Sequence, residues 1–335
     1  MGLEPQDLHE KLGGYFEARF GENLKIGLIT GSVAAGVANS RSDLDLVIVL
    51  DDCSALIDGD CGFKAFNIEG MRADTLIMTQ ACLKRVISLI PKQSFKDYTK
   101  DNMCVEKLMN ADVVFGHDAY EDVIDDTVAL EFRKRLFLGQ RQISWGIFDD
   151  YIGMCLEKND VGRVEMLQAL VRNELECFLI QSGSTFRKTK WISKKLEALG
   201  QRGDPYTKFY RDTLLTVPSL DEPALTNWEA DVWNFQRKIQ LNFLFEDLAD
   251  KVLTGSAPCA SDEDTSAMRY LIVGAGGRYF LQNVNGNYEL SLAATRIAAT
   301  RGILETSALR RALGDIGDSE LRAAEREVSL LFNRA

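Results

Sequence analysis

Histidine is scarce in this chain. His9 and His117 are the only two, and they form no ligand cluster. The seven cysteines (Cys53, Cys61, Cys82, Cys104, Cys155, Cys177 and Cys259) contain no C-x-x-C pair and are odd in number, so neither a zinc knuckle nor a disulfide framework is expected. Free thiols instead fit a reducing compartment. There is no apolar span of about 18 residues and no signal-peptide pattern, which leads to the expectation of a soluble, cytoplasmic protein with no membrane partner. Positive charge is short as well, with a formal net charge of −11. Non-specific binding to nucleic acid draws its affinity from cations placed on phosphates. Nucleic acid is therefore not an expected partner, and a polymerase or a tRNA-tailing enzyme is disfavoured unless a local basic groove exists.

What is present is enough apolar material for a folded protein. The chain has 335 residues, 46% of them hydrophobic, which is globular rather than disordered composition. That length accommodates about two or three domains with a sizeable core.

The stretch from Leu24 to Leu50 carries the chemistry. Leu24–Thr30 is a short apolar run bounded by turn residues and predicts a buried strand. Gly31 permits a tight turn and close backbone approach to a ligand, and Ser32 opens a short helix with N–H groups and a hydroxyl available to an anion. A polar loop, Asn39–Ser42, leads to a second strand carrying Asp43 and Asp45. Residues two apart on a strand share a face, so both carboxylates project together, while Leu44 and Leu46 point into a core. Two carboxylates roughly 7 Å apart along a strand can jointly hold Mg²⁺. Lys64–Ile68 and Met71–Met78 predict two further strands around a turn at Glu69-Gly70. Asp74 interrupts the apolar run of the second, where a carboxylate is costly to bury unless paired or metal-bound.

Gly31-Ser32, ten intervening residues, Asp43-Leu44-Asp45-Leu46 and a later strand acid together resemble the motif of the DNA polymerase β-like nucleotidyltransferase superfamily. The resemblance implies that Asp43, Asp45 and Asp74 are catalytic metal ligands for two Mg²⁺ ions, and that Gly31 and Ser32 bind the phosphates of ATP or another nucleoside triphosphate. Two ions in such a site stand about 3.5–4 Å apart. Glu69 is the rival to Asp74. Many relatives carry an arginine in the helix after Gly-Ser; here the region reads Val33-Ala34-Ala35-Gly36, and Arg41 either compensates or stands in a solvated loop.

The rest of the chain is mostly helical in pattern. Leu8, Leu12, Tyr15, Phe16 and Phe20 recur at helical spacing over 3–20. Residues 79–90 form a helix stopped by Pro91, and 94–110 another. A short strand at 111–115 ends at Gly116, with His117 in a surface turn. Helices are expected over 127–157, over 161–181 with Gly183 as a terminating signal, and from a capping box at Thr226-Asn227-Trp228-Glu229 through Val252. Trp228, Val232, Phe235 and Ile239 read as core rather than a ligand cage. The stretch from Arg172 to Leu196 resembles the second domain of aminoglycoside adenylyltransferases, where a lysine just beyond a helix-ending Gly turn reaches the nucleotide phosphates. Lys188 and Lys190 occupy that region, ahead of Trp191. The alternative is a solvated basic helix face, since Lys194 and Lys195 continue the run.

Residues 255–265 read as a linker. Three strand-like runs follow, RYLIV, RYFLQ and NYELS, separated by turn signals, and then helices at 291–314 and 318–333. The Gly-rich run Gly274–Gly277 precedes a strand rather than a helix, so the dinucleotide fingerprint fails.

The expected fold class is therefore α+β. A catalytic domain over 1–125 holds a mixed sheet with flanking helices. An all-helical substrate domain spans 126–257. A small β-meander module with helices, faintly winged-helix-like, spans 258–335. The expected function is Mg-dependent transfer of a nucleoside monophosphate, AMP for preference, to a hydroxyl of a small molecule, with release of pyrophosphate. Asp149, Asp150 and Glu174 are candidate contacts for a cationic acceptor, or else solvated acids. The alternatives are nucleotidylation of a peptide or protein, and a non-catalytic nucleotide-binding or antitoxin-like regulator.

Overall fold

The computed structural model describes residues 5–39, 41–68, 70–200, 203–216, 218–244, 270–275, 278–283, 286–300 and 317–332. In chain order the elements are α1 (Pro5–Phe20), β1 (Leu24–Thr30), α2 (Gly31–Ala34), β2 (Leu44–Leu50), β3 (Cys61–Ile68), β4 (Met71–Thr79), α3 (Gln80–Leu89), α4 (Lys100–Met109), β5 (Asp112–Phe115) and α5 (His117–Glu121). They continue with α6 (Asp126–Leu156), α7 (Asp160–Gln181), α8 (Ile192–Ala198), α9 (Asp204–Phe209), α10 (Glu222–Leu244), β6 (Tyr270–Ala275), β7 (Arg278–Asn283), β8 (Gly286–Leu290), α11 (Leu292–Thr300) and α12 (Asp318–Phe332). The fold is α+β, with a mixed five-stranded sheet in the order β3-β4-β2-β1-β5 and an antiparallel three-stranded sheet β6-β7-β8. Contacts divide the chain into two units, residues 1–139 with 182–195, and residues 140–181 with 196–335.

The first unit is built on β1 and β2, which pair antiparallel, while β2 and β4 run parallel. Both central strands are almost wholly apolar because both faces of the sheet are covered. Leu44, Leu46, Ile48 and Leu50 join Leu12 and Phe16 of α1 in one core cluster. The opposite face packs against α3 and α4, and there Val47 and Val49 are fully buried. Asp45 heads this second row, as strand alternation requires. Gly27 sits where a Cβ would meet the Phe16 ring at 2.5 Å, so the missing side chain is what lets α1 lie flat on the sheet. Thr79 accepts from the Cys82 N–H and caps the start of α3, and Pro91 falls in the 3₁₀ turn that ends it, as the sequence predicts.

In the second unit, Leu241 of α10 shares a core cluster with Tyr270, Ile272, Leu281 and Leu290 of the meander, with Ala294 and Ile297 of α11 and with Leu321 and Val328 of α12. Trp228, Val232, Phe235 and Ile239 are buried, as their spacing predicts. Two helix starts differ from the sequence reading: α4 begins at Lys100 rather than at residue 94, and α10 begins at Glu222 rather than at a capping box on Thr226. Asp221 accepts from the Ala224 N–H and so caps α10 five residues earlier. Glu229 is buried against Arg163 instead of reaching back to a cap.

Val252, the linker 255–265, the boundary at 257/258, Gly276-Gly277, Glu69, Ser40, Cys259 and residues 301–314 lie outside the described residues. The other six cysteines are free thiols. Among the described residues no helix is long and apolar enough to cross a membrane.

Candidate active site

A cavity of about 380 Å³ opens in the first unit where β1 ends and α2 begins. Five separate stretches of chain wall it. The corner supplies Thr30, Gly31, Ser32 and Asp45; α4 supplies Met103, Glu106, Lys107 and Asn110; the segment before α8 supplies Phe186, Arg187, Lys188, Lys190 and Trp191. Tyr98, in the loop before α4, completes the wall.

The corner is shaped by glycine. Gly31 has φ +73°, a left-handed conformation that strains any residue with a side chain. A Cβ there would also come within 3.0 Å of Asp45 Cβ and Cγ, and closer still to Oδ2. The Asp45 carboxylate therefore lies in the space a side chain would fill. On its other side, Lys107 Nζ stands 2.6 Å from Asp45 Oδ1.

The helix α4 reaches the cavity by periodicity. Met103, Glu106, Lys107 and Asn110 are spaced i, i+3, i+4, i+7 and form one stripe, while Cys104, Val105 and Leu108 are buried. Three bonds fix the helix in place, one of them to the corner. Thr99 accepts from the Asn102 N–H at its start. Thr30 Oγ1 donates to the Lys107 carbonyl at 2.8 Å. Tyr120 OH donates to the Leu108 carbonyl at 2.9 Å. Burial, with a smaller push from Asp112, raises the Tyr120 hydroxyl to about 12, so it remains a donor at neutral pH. Beneath α4, the Cys61 and Cys104 sulfurs stand 3.6 Å apart. The hydrogen bond to Cys104, followed by burial, pushes the Cys61 thiol up, and the same bond lowers Cys104.

The basic segment is anchored, not splayed into solvent. Arg187 forms a buried ion pair with Glu106 and donates to the Phe95 carbonyl at 2.7 Å. Lys194 Nζ donates to the carbonyls of Val37 and Ala38 at 3.0 and 3.1 Å. Lys195 is buried and donates to the Phe186 carbonyl at 2.9 Å. The reading of this run as a solvated helix face fails for Lys195, which is buried; Lys194 is exposed, with its ammonium held on backbone oxygens. Lys188 Nζ donates to Tyr98 OH at 2.6 Å and lies over its ring. Lys190 is exposed and sits 5.3 Å from the centre of the Trp191 ring.

Five of the seven residues singled out from sequence thus line one cavity: Gly31, Ser32, Asp45, Lys188 and Lys190. Asp43 and Asp74 do not line it. Asp43 is exposed just before β2. Asp74 sits directly beside Asp45 in the parallel register of β2 and β4, on the face shared with buried Leu76 and Met78. Its carboxylate is half-exposed and paired with Arg72 at 3.2 Å. Among the described residues no group of three or more His, Cys, Asp or Glu stands together as a metal cage. By donor chemistry Asp43, Asp45 and Asp74 still fit a hard divalent cation, which takes oxygen ligands only. Asp45 lines the cavity with Oδ2 in the Gly31 cradle and Oδ1 on Lys107.

Lys107, Glu106, Asn110, Arg187 and Tyr98 were not singled out from sequence. The signal available was the i, i+3, i+4, i+7 stripe, polar at Glu106, Lys107 and Asn110, on a helix whose other face is apolar. Arg187 brings a guanidinium to a cavity whose α2 lacks one, while Arg41 stands exposed in its loop. Lys107, Arg187, Lys188 and Lys190 set four cations against the two carboxylates Asp45 and Glu106, in a chain of net charge −11. A cleft with a local excess of one sign focuses potential on an oppositely charged ligand. Glu174 is not available to an acceptor: it is fully buried, paired with Arg141 and bonded to Ser144 and Gln240.

No protein-family model matches this chain, and no curated protein matches it. A crystal structure of a nucleotidyltransferase-like protein from Exiguobacterium sibiricum is similar to it at 12% identity, covering 81% of this chain and 96% of that one, with a TM-score of 0.38.

Proposed function

We propose that this cavity binds a nucleoside triphosphate, ATP for preference, and transfers its nucleoside monophosphate to a hydroxyl acceptor with release of pyrophosphate. The observation that carries the reading is the convergence of the Gly31-Ser32 corner, Asp45 and the Lys188/Lys190 segment on one cation-rich cavity.

In this reading Gly31 and Ser32 receive the phosphates, since the glycine lets them approach the backbone closely. Lys188 and Lys190 neutralise the triphosphate and stabilise the charge that builds on the leaving pyrophosphate. The Tyr98 hydroxyl holds Lys188 in place, so its ammonium is oriented before the ligand arrives. Asp43, Asp45 and Asp74 would hold Mg²⁺, in one or two ions, which when bound supplies Lewis-acid stabilisation to phosphate oxygens. Asp74, half-exposed within β4, is alternatively the group that takes the proton of the acceptor hydroxyl. Arg187 and Glu106 hold each other in the cavity wall as a buried ion pair.

A small hydroxylated molecule is the favoured acceptor, of the kind that aminoglycoside adenylyltransferases modify; a peptide or protein is the second choice. A further reading, nucleotide binding without transfer, is favoured by one observation: Lys107 stands on the carboxylate that a metal would need. The experiment is release of pyrophosphate from ATP and Mg²⁺, measured with and without candidate acceptors. Turnover that falls by orders of magnitude in Asp45→Asn supports transfer at this site. Unchanged turnover in that variant contradicts it, and binding without any pyrophosphate favours the regulator.

A further inference from the structure

Lys107 lines the cavity with its ammonium on the carboxylate of Asp45. Its ammonium lies 2.6 Å from Asp45 Oδ1, with 24% of the Lys107 side chain and 32% of the Asp45 side chain exposed. A pair sheltered to that degree interacts more strongly than a surface ion pair. The carboxylate is held against Gly31 from behind, in space that no side chain fills. The Lys107 backbone is fixed too, because Thr30 Oγ1 donates to its carbonyl at 2.8 Å. Thr30 ends β1, and Gly31 follows it directly. Anchor and carboxylate thus belong to the same corner, and the part of Lys107 free to move is the four-carbon stem with its charge.

An ammonium and a divalent cation cannot share one carboxylate oxygen without severe like-charge repulsion. Either the metal is kept off Asp45 or Lys107 leaves it. The stem is flexible, and the cavity that Lys107 lines also holds Lys188, Lys190 and Arg187. An ammonium displaced into that company is stable only if anionic charge arrives with the displacing metal. A triphosphate carrying a divalent cation brings both at once.

We propose that Lys107 is an exchange cation: it neutralises Asp45 while the site is empty and moves to a phosphate oxygen when a metal–triphosphate complex takes the carboxylate. The inference rests on the nucleotide reading above and adds a rule to it. Metal alone binds weakly, triphosphate alone binds weakly, and each strengthens the other, because Lys107 charges the first and rewards the pair. Coupling of this kind is reciprocal by thermodynamic necessity.

The test is Mn²⁺ binding to the full chain, followed by electron paramagnetic resonance, with and without the α,β-methylene analogue of ATP. Wild type is compared with Lys107→Gln and Lys107→Arg, all checked for native circular dichroism. Without nucleotide, Lys107→Gln is expected to bind Mn²⁺ about tenfold more tightly than wild type. With Mn²⁺ present, it is expected to bind the analogue about tenfold more weakly, because the relocated cation is gone. Lys107→Arg keeps the charge and is expected to stay close to wild type in both. If the analogue binds with Mn²⁺ but metal affinity without nucleotide is the same in wild type and Lys107→Gln, the exchange is overturned and the nucleotide site stands. If neither protein binds the analogue under any metal condition, the nucleotide site falls and the exchange falls with it.

Discussion

Gly31 and Asp45 stand so close that a Cβ on the glycine would come within 3.0 Å of the Asp45 Cβ and Cγ atoms. Gly31 follows directly on β1 and Asp45 lies on the antiparallel neighbour β2, with Thr30 paired to Asp45 in the register. The turn that exposes the phosphate corner and the strand that carries the carboxylate are therefore one construction. Replacing Gly31 by alanine strains a left-handed backbone, at about 1–3 kcal/mol, and drives the methyl group into the carboxylate. Gly31→Ala is expected to lower the midpoint of thermal unfolding and to abolish triphosphate binding, as read by differential scanning calorimetry and by titration with a fluorescent ATP analogue. A variant with wild-type affinity would show that the carboxylate does not need this space.

The Arg187–Glu106 pair spans the cavity wall with only 9% and 10% of the two side chains exposed. Removing one partner of a buried pair strands the other charge and costs about 3–5 kcal/mol. Arg187→Ala and Glu106→Ala are each expected to lose that much stability in urea unfolding. The double variant Arg187→Met/Glu106→Met is expected to recover part of it, since no lone charge remains. Additive losses in the double variant would mean that the two groups act separately.

Lys188 is positioned by Tyr98, through a 2.6 Å hydrogen bond and a ring contact. A charge-assisted contact to phosphate is worth about 1.5–3 kcal/mol. Lys188→Ala is expected to weaken triphosphate binding about tenfold or more and to reduce its salt dependence. Tyr98→Phe, which loses only the orienting hydroxyl, is expected to have a smaller effect in the same direction. Equal binding by wild type and Lys188→Ala at low salt would remove this lysine from the site.

Tyr120 ties α5 to the last turn of α4, the turn that presents Lys107. Its hydroxyl titrates near 12 in the folded protein against an ordinary value of 10.0, with burial as the main cause. A group whose folded value is raised contributes stability that is complete below the unfolded value and lost as pH climbs through the folded one. The contribution of Tyr120 is therefore expected to be full below pH 10 and to fade between pH 10 and 12. Comparing urea unfolding of wild type and Tyr120→Phe across that window checks it. The wild type should lose its advantage as pH rises, whereas a constant difference between the two proteins would assign Tyr120 a packing role alone.

How far the site was legible follows from which interactions are local. β1 and β2 announce themselves as apolar runs, and alternation puts Asp45 on one face with Leu44 and Leu46 on the other, as found. Gly31 is legible because a left-handed turn has few other solutions. Lys107 was hidden because its partner lies 62 residues away in sequence, and a cavity-facing stripe on α4 has the same period as a solvent-facing one. Glu174 misled in the opposite sense: an acid in a mostly apolar helix reads as solvated or acceptor-facing, yet Arg141 and Gln240, distant in sequence, satisfy it inside the core. The start of α10 was misread because a Thr-x-x-Glu pattern matches a cap by spacing alone, while Asp221 had the earlier position.

The central claim is that the Gly31–Asp45 corner and the lysines across from it bind a triphosphate together with a divalent cation. Calorimetric titration of the full chain with the α,β-methylene analogue of ATP tests this most directly, run with Mg²⁺ and with EDTA, on wild type and Asp45→Asn. The account predicts a single saturable site in wild type with Mg²⁺, at least tenfold weaker binding in EDTA, and the same weak binding in Asp45→Asn whether or not Mg²⁺ is present. Affinity that is identical in all four titrations, or no heat in wild type with Mg²⁺, would contradict it.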